Sequence, residues 1–410
     1  MKINKFFPFA FIFFFLNSAG LPLGLTYMAL LSPFFYWWVV TTRKQEILLP
    51  FLSVLLPFIV IQIINGVETK SYVISFLNLI TVYVFCQVFY TFLKTCQDIE
   101  SIFRKLLVIN FIFCLIAIPV YFTPFSDIFW INQFLTGGID NYKRFRLFTY
   151  EASYYATLFT PLFFFFLLQI VFRLNKISLW LLIPMIALPY ILSFSLGVLT
   201  AIIIATGTTY LFYIRSLTVK KRVLNIILLV CICSVSLFIV LINFFPDNTL
   251  FIRISNIFSG HDSSGKGRTA EAFFLANKIV NLKNPYWGIG MGQIKIIGAD
   301  IIRNFYQYDN DYTITIPNAT AETLAVFGWI GVSLRIGLEI FMFFFTKVWT
   351  NYYRFALFIF IFIYQLSGSF ITSAGEYVIW ILAFTTVFKE FDIRKPGKDI
   401  NTSPDSARYD

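Results

Sequence analysis

The chain reads as long apolar runs broken by short polar gaps. A membrane span needs about 20 apolar residues. On that measure the pattern predicts roughly twelve helical spans, at 6–18, 22–40, 48–65, 73–94, 106–122, 153–172, 179–194, 197–214, 223–245, 321–347, 355–370 and 374–388. Only "NSAG" joins the first pair. The lead "MKINKFFPFAFIFFFLNSAG" also has the form of a signal peptide. Another span follows it without a mature soluble segment, so it is read as a span. The fold class expected is therefore an all-α polytopic membrane protein. Residues 1–390 form one transmembrane domain, and a polar tail, 391–410, is expected to be disordered.

Composition agrees with this class. Of 410 residues, 58% are hydrophobic and 13% charged, against about 25% charged in soluble domains. The formal net charge of +11 raises nucleic acid as a partner, but the placement of the charges argues against it. With the N-terminal Lys2 and Lys5 in the cytoplasm, the short basic loops all fall on that side. They hold Arg43 and Lys44; Lys94, Arg104 and Lys105; Arg173 and Lys176; "RSLTVKKR"; Lys347 and Arg354; and "KEFDIRKPGK". Both termini are then cytoplasmic. The cysteines Cys86, Cys96, Cys114, Cys231 and Cys233 lie in or beside apolar runs. Neither a disulfide framework nor a metal-ligand cluster is expected from them. His261, the single histidine, is flanked by "SG" and "DSSG" and reads as an exposed loop residue.

Two external segments stand out, 123–152 and 246–320, and the second is long for a loop without a function. Within it, 268–282 reads as a short helix stopped by Asn284-Pro285. Gly288, Gly290 and Gly292 read as a tight turn, because "GIGMG" lacks the strand–helix setting of a nucleotide loop. The stretch "KRFRLFTYEASYYATLFTPLFFFFLL", 143–168, sets Lys143, Arg144, Arg146 and Glu151 at the mouth of an apolar span. Charge is costly near a membrane core. Lys143, Arg144, Arg146, Arg253, Lys266 and Arg268 also break the positive-inside pattern. An anionic ligand at the outer membrane surface, such as a lipid-linked phosphate, accounts for them.

Four stretches in this order resemble the O-antigen and capsule polymerase (Wzy) family, which is related to the O-antigen ligases. "RLFTYEASYYA" is similar to a basic–aromatic–Glu–Pro–Ser segment, with Ala152 where proline is usual. The run from Arg253 through "SGHDSSGKGR" to Arg268 resembles the start of the family's large periplasmic loop. "NPYWGIGMG" is similar to its glycine turn, and "PNATAETLAVFGWIG" to the lead into the next span. "LSFSLGVLTA" departs from the family, with Leu196 where an arginine is common. Pro317 precedes Asn318 where ligases commonly carry histidine, which favours polymerase over ligase.

The resemblance implies a GT-C-like fold in a bacterial inner membrane, with the active site on the extracytoplasmic face. It implies glycosyl transfer between polyprenyl-diphosphate-linked oligosaccharides, for O-antigen, capsule or exopolysaccharide. A chain-length regulator is a further partner. A sugar hydroxyl of one lipid-linked unit attacks the anomeric carbon of another, and polyprenyl diphosphate leaves. Guanidinium groups suit the developing charge, so no metal or cofactor is called for. Arg268, Arg146, Glu151 and Glu322 are the implied catalytic residues. Arg144, Lys143, Arg253, Asn318, Tyr306 and Tyr308 are the implied substrate contacts, and Tyr312 is a further sugar candidate.

Plainer readings stand beside these. Arg144 and Arg146 also suit headgroup contact by snorkelling. Arg268 suits a local bridge to Glu271, and Glu151 a partner for the preceding cations. Glu322 opens a 27-residue apolar segment, 321–347, about 40 Å long at 1.5 Å per residue. Its first turns then protrude to the interface. Arg335 and Glu339 read as a neutralising pair inside a span. Two rival functions remain, an O-antigen ligase and a lipid-linked oligosaccharide flippase. The topology is checked by placing cysteine at Ser264. An impermeant thiol reagent should label it in cells whose outer barrier is opened, and labelling only after lysis of the plasma membrane refutes the orientation.

Overall fold

Backbone polar groups have no water to bond in a bilayer core, so apolar runs there fold as helices. The computed structural model describes residues 6–393 apart from 17, 19–20, 22–25, 44–46, 97, 136–138, 214–266 and 307–313. The expected span 223–245, the candidates Arg253 and Tyr308, and His261, Lys266 and Tyr312 lie outside the described residues.

The helices are α1 (Phe6–Phe11, extended by a π-helical turn Ile12–Leu16), α2 (Tyr27–Leu30), α3 (Ser32–Arg43), α4 (Leu48–Ile64), α5 (Thr69–Thr95) and α6 (Ile99–Val120). They continue as α7 (Ala152–Phe172), α8 (Leu179–Ser193), α9 (Leu196–Tyr213), α10 (Ala270–Val280), α11 (Ala299–Tyr306), α12 (Ala319–Phe345), α13 (Tyr352–Tyr364) and α14 (Ala374–Phe384). Among the described residues, five helices are long and apolar enough to cross a membrane: α5, α6, α7, α9 and α12 with its extension to Thr350. Shorter apolar helices, α4, α8, α13 and α14 among them, pack around these. The chain is thus a mostly helical membrane protein. The expected span 22–40 is divided, with Thr26 capping α2 through the Ala29 N–H and α3 starting anew at Ser32. Polar caps also start α5 at Glu68, α6 at Asp98, α12 at Asn318 and α13 at Asn351.

Helix α7 is the centre of the bundle. Its most apolar window is 72% buried, against 28% for α5, so α7 meets protein on every side. Its Phe164, Phe165 and Phe166 belong to an aromatic core with Phe103, Phe360, Phe388 and Phe391. A second core joins α10, the start of α12 and the start of α5, through Ile279, Leu275, Leu324, Ile289, Met291 and Tyr72.

One departure from the all-α expectation matters. Strands β1 (Trp130–Leu135) and β2 (Ile139–Phe145) form an antiparallel hairpin between α6 and α7, pairing Trp130 with Phe145 and Ile131 with Arg144. The first residues of the expected tail pack on the fold. Phe391 is buried, Asn351 bridges Asp392, and the Ile393 N–H bonds the Thr350 carbonyl. Residues 391–393 are therefore part of the fold.

The expected 27-residue segment is not one straight rod. Gly328, at φ 68° and ψ −168°, interrupts α12. The break frees backbone groups, and the 284–292 loop takes them up. Ile289 and Gly290 donate to the Ala325 and Val326 carbonyls, at 2.9 and 3.1 Å. Trp329 and Ile330 donate to Pro285 and Tyr286, at 3.0 and 3.1 Å. The contact is backbone against backbone. A Cβ on Gly288 would stand 2.1 Å from the Val326 carbonyl oxygen. The expected glycine turn is present, with φ of 79°, 103° and 71° at Gly288, Gly290 and Gly292.

Gly288→Ala should therefore destabilise the protein by about 2–4 kcal/mol, from overpacking and a left-handed backbone together. Gly207→Ala in α9, where a Cβ meets nothing within 4 Å, should melt at or slightly above wild type. Thermal melts of the detergent-purified protein measure both. Equal melting of the two variants would refute the clasp.

Candidate active site

One end of the bundle gathers the start of α7, the residues before α10, the start of α12 and the turn between α13 and α14. Glu151 precedes α7 in extended conformation and makes no side-chain cap bond, so its carboxylate can serve another group. Arg268 supplies that group, with Nη2 3.5 Å from Oε1 across 117 residues of sequence. Asn318 fixes the Arg268 backbone. Its Nδ2 donates to the carbonyls of Arg268 and Leu366, at 2.8 and 2.5 Å, and its Oδ1 accepts the Ala321 N–H at 2.8 Å.

Glu151 and Arg268 line a narrow cleft with Tyr150, Pro317, Tyr364 and Ser369. Its free volume of about 20 Å³ holds roughly one water. The cleft adjoins a larger cavity of about 470 Å³, and Tyr150, Tyr154, Phe370 and Ser373 line both. Tyr150 and Tyr154 stack there, with ring centroids 4.7 Å apart. Burial pushes the Tyr150 hydroxyl well above its ordinary value, with Tyr154 and Glu151 adding to the rise, so it stays protonated and can donate. The larger cavity is rich in hydroxyl and amide groups, with Ser75, Asn78, Thr81 and Thr315 on its wall beside Lys295 and Glu322. Glu322 is held by the Ile371 N–H, 2.8 Å from Oε2.

The hairpin cations are placed differently from expectation. Arg144 is 4% exposed, and its Nε donates to the Ser193 carbonyl at 2.8 Å. It closes the C-terminal end of α8, where a positive group is favourable, and has no open face toward a surface phosphate. Lys143 donates to the Ser126 hydroxyl and stands over the Tyr121 ring. Arg146 Nη2 donates to the Asp127 carbonyl at 3.0 Å. Burial pulls its guanidinium below the ordinary value, and the Asp127 charge opposes that. None of the three lines either cavity.

Asn318 is 0% exposed and its polar atoms are engaged as above, so it positions Arg268 and lines neither cavity. Tyr306 donates to Glu271 at 3.1 Å and lines neither cavity. Glu271 is thus joined to Tyr306, while Arg268 reaches Glu151 in place of the expected local bridge.

The intrahelical pair is present, with Arg335 Nε 3.3 Å from Glu339 Oε1, but it is half of a larger network. Arg335 Nη2 also meets Glu376 of α14, Nε donates to Gln365 at 2.8 Å, and Nη1 to Thr323 at 3.2 Å. Gln365 Nε2 donates to Glu339 at 2.6 Å. Glu376 and Gln365 are both 0% exposed. Sequence reading missed them, together with Lys295, Ser369 and the Tyr150–Tyr154 pair. The polar residues in "FIYQLSGSFITSAGEYVIW" carried a signal, since Gln365 and Glu376 fall within apolar runs, where such groups need partners. Among the described residues no group of three or more His, Cys, Asp or Glu side chains is placed to hold a metal ion.

No family model, curated protein or solved structure matches the chain.

Arg335→Ala would leave Glu339 and Glu376 buried without their counter-charge, a change of about 3–5 kcal/mol. The expected result is scarce folded protein, read as membrane abundance and detergent-monodisperse yield. Arg335→Ala combined with Glu376→Gln should recover part of that yield, because one stranded charge is removed. Wild-type abundance of the single variant refutes the structural role.

Proposed function

We propose that the protein polymerises lipid-linked oligosaccharide repeat units on the outer face of a bacterial plasma membrane. The observation that carries this reading is the meeting of Arg268 and Glu151 at the mouth of α7, beside a cavity walled by hydroxyl and amide groups. A cation at the end of an apolar bundle suits a phosphate carried on a lipid. Hydroxyl-rich walls and a stacked tyrosine pair suit sugar rings. A volume of about 470 Å³ lies in the usual range for small-ligand pockets, so it suits the reacting ends of the glycans.

In this reading an acceptor hydroxyl attacks the anomeric carbon of the donor glycan. A new C–O bond forms, and the bond from that carbon to the polyprenyl diphosphate breaks, its electron pair leaving with the diphosphate. Arg268 takes up the charge developing on the diphosphate. It contacts Glu151 at 3.5 Å in the resting protein, and both side chains are about a quarter to a third exposed, at 30% and 26%. A long, partly exposed ion pair is weak, so an anionic ligand displaces Glu151 readily. Such displacement is needed, because the resting cleft holds only about one water. Glu322 faces the larger cavity and receives the acceptor proton. Lys295 on the same wall adds positive charge near the sugar–phosphate junction.

Removing a group aimed at developing charge slows turnover by about 10²–10³. Arg268→Ala, tested in a host deleted for the gene, should abolish long chains at wild-type protein abundance. Arg268→Lys should restore little, because its single ammonium cannot contact two phosphate oxygens in a plane. Arg146→Ala should preserve most chain length wherever the protein still folds, since Arg146 lines neither cavity. Polymer of normal length and rate from Arg268→Ala refutes the assignment.

A further inference from the structure

The turn between α13 and α14 carries two costs at one residue. Ser369 has φ +66°, in the left-handed region that a side chain with a Cβ disfavours. Glycine is the residue for such a position, and Gly368 stands next to it. The Ser369 Oγ is also buried without a hydrogen-bond partner among the described residues. A buried hydroxyl left unpaired is unfavourable.

Its location separates Ser369 from other strained positions. Four further non-glycine residues among those described have positive φ: Leu147, Arg173, Phe194 and Lys347. Arg173 and Phe194 end α7 and α8, and Lys347 follows α12. Such conformations are ordinary at helix C-termini. Ser369 alone of the five lines either cavity, and it lines the Arg268–Glu151 cleft.

The surroundings hold the strain in place. The Ala319 N–H bonds the Gly368 carbonyl at 3.1 Å, and the Thr320 N–H bonds the Gln365 carbonyl at 3.2 Å. Gly368 is pressed on the Tyr364 ring, where a Cβ would come within 2.7 Å. The first turn of α12 therefore fixes the turn that presents Ser369. Strain kept by over-determined surroundings clusters at ligand sites.

We propose that Ser369 is a ligand-contacting residue of the cleft, its hydroxyl donating to a diphosphate oxygen when Arg268 leaves Glu151. This rests on the lipid-diphosphate reading above. The hydroxyl, unpaired among the described residues, then gains an acceptor. Arg268 and Ser369 hold the phosphate from two sides of the cleft, and Tyr150 offers a neutral donor beside them.

The full chain, purified in detergent, is melted alone and with undecaprenyl diphosphate, inorganic pyrophosphate or phosphatidylglycerol. Ser369→Gly removes the hydroxyl and relieves the backbone. It should raise the melting temperature without ligand by about 2 °C. Ser369→Ala removes the unpaired hydroxyl and keeps the strain, so it should melt at or slightly above wild type and below Ser369→Gly. Both should weaken undecaprenyl diphosphate binding by about tenfold or more, as expected for a hydrogen bond to a charged group. An equal loss with pyrophosphate assigns the contact to the phosphates alone, and a loss seen only with the lipid assigns it to a tail-anchored diphosphate. Both results support the proposal. A phosphatidylglycerol shift as large as the diphosphate shift, lost in both variants, makes the site a general headgroup site and overturns it. Wild-type ligand shifts in both variants overturn the role of Ser369 while leaving the diphosphate reading standing. No shift of wild type by either diphosphate overturns that reading and the ligand assigned here. A lower melting temperature for Ser369→Gly makes the hydroxyl structural and also overturns the proposal.

Discussion

The arrangement of the site depends on the interruption of α12 at Gly328. A helix cannot be broken among apolar neighbours unless the freed backbone groups find partners. Here the 284–292 loop supplies them, with Ile289 and Gly290 donating before the break and the carbonyls of Pro285 and Tyr286 accepting after it. Gln62 adds a donor to the Val326 and Trp287 carbonyls, each at 2.9 Å. The interruption also divides two tasks. Before Gly328 the chain builds the cavity wall with Glu322. After it the helix continues through the apolar layer with Arg335 and Glu339. Because the loop is clasped to α12, α10 and Lys295 are held in place with it.

Two arginine–carboxylate sets lie near one another and have opposite characters. Arg335 is 13% exposed, its partner Glu376 is 0% exposed, and the guanidinium bonds four side chains. Such a set resists rearrangement, because moving any member strands a buried charge. Arg268 and Glu151 are partly exposed and 3.5 Å apart. Separating them costs little. That contrast assigns the first set to holding α12, α13 and α14 together and leaves the second the easier one to separate.

The cations at the mouth of α7 have a structural account. Lys143, Arg144 and Arg146 fasten the hairpin by bonding the Ser126 hydroxyl, the Ser193 carbonyl and the Asp127 carbonyl. The hairpin thereby ties the end of α6 to the end of α8 and leads the chain into Glu151. A positive charge is tolerated there because each of the three side chains donates to an oxygen. Among the described residues, the cations that line the cavities are Arg268 and Lys295.

Helices α4 to α9 could be read from the sequence, because a span is specified by local apolar length and needs no knowledge of its neighbours. The glycine turn and the 268–282 helix were legible for the same reason, since glycine spacing and the Asn284-Pro285 stop act over a few residues. Arg268 and Glu151 could each be named from their motifs. Their contact could not, because 117 residues of sequence lie between them. The break at Gly328 was hidden, since one glycine inside an apolar run is compatible with a continuous helix until a partner loop is in place. Glu376 and Gln365 were overlooked because their meaning comes from Arg335 on another helix. Ser369 shows the limit most clearly. Its type and neighbours describe an ordinary turn, and only the packing of α12 against that turn imposes the left-handed backbone and leaves the hydroxyl unpaired. Local residue chemistry thus determined the membrane class and most helices, whereas long-range backbone and charge pairing decided which polar groups share a cleft.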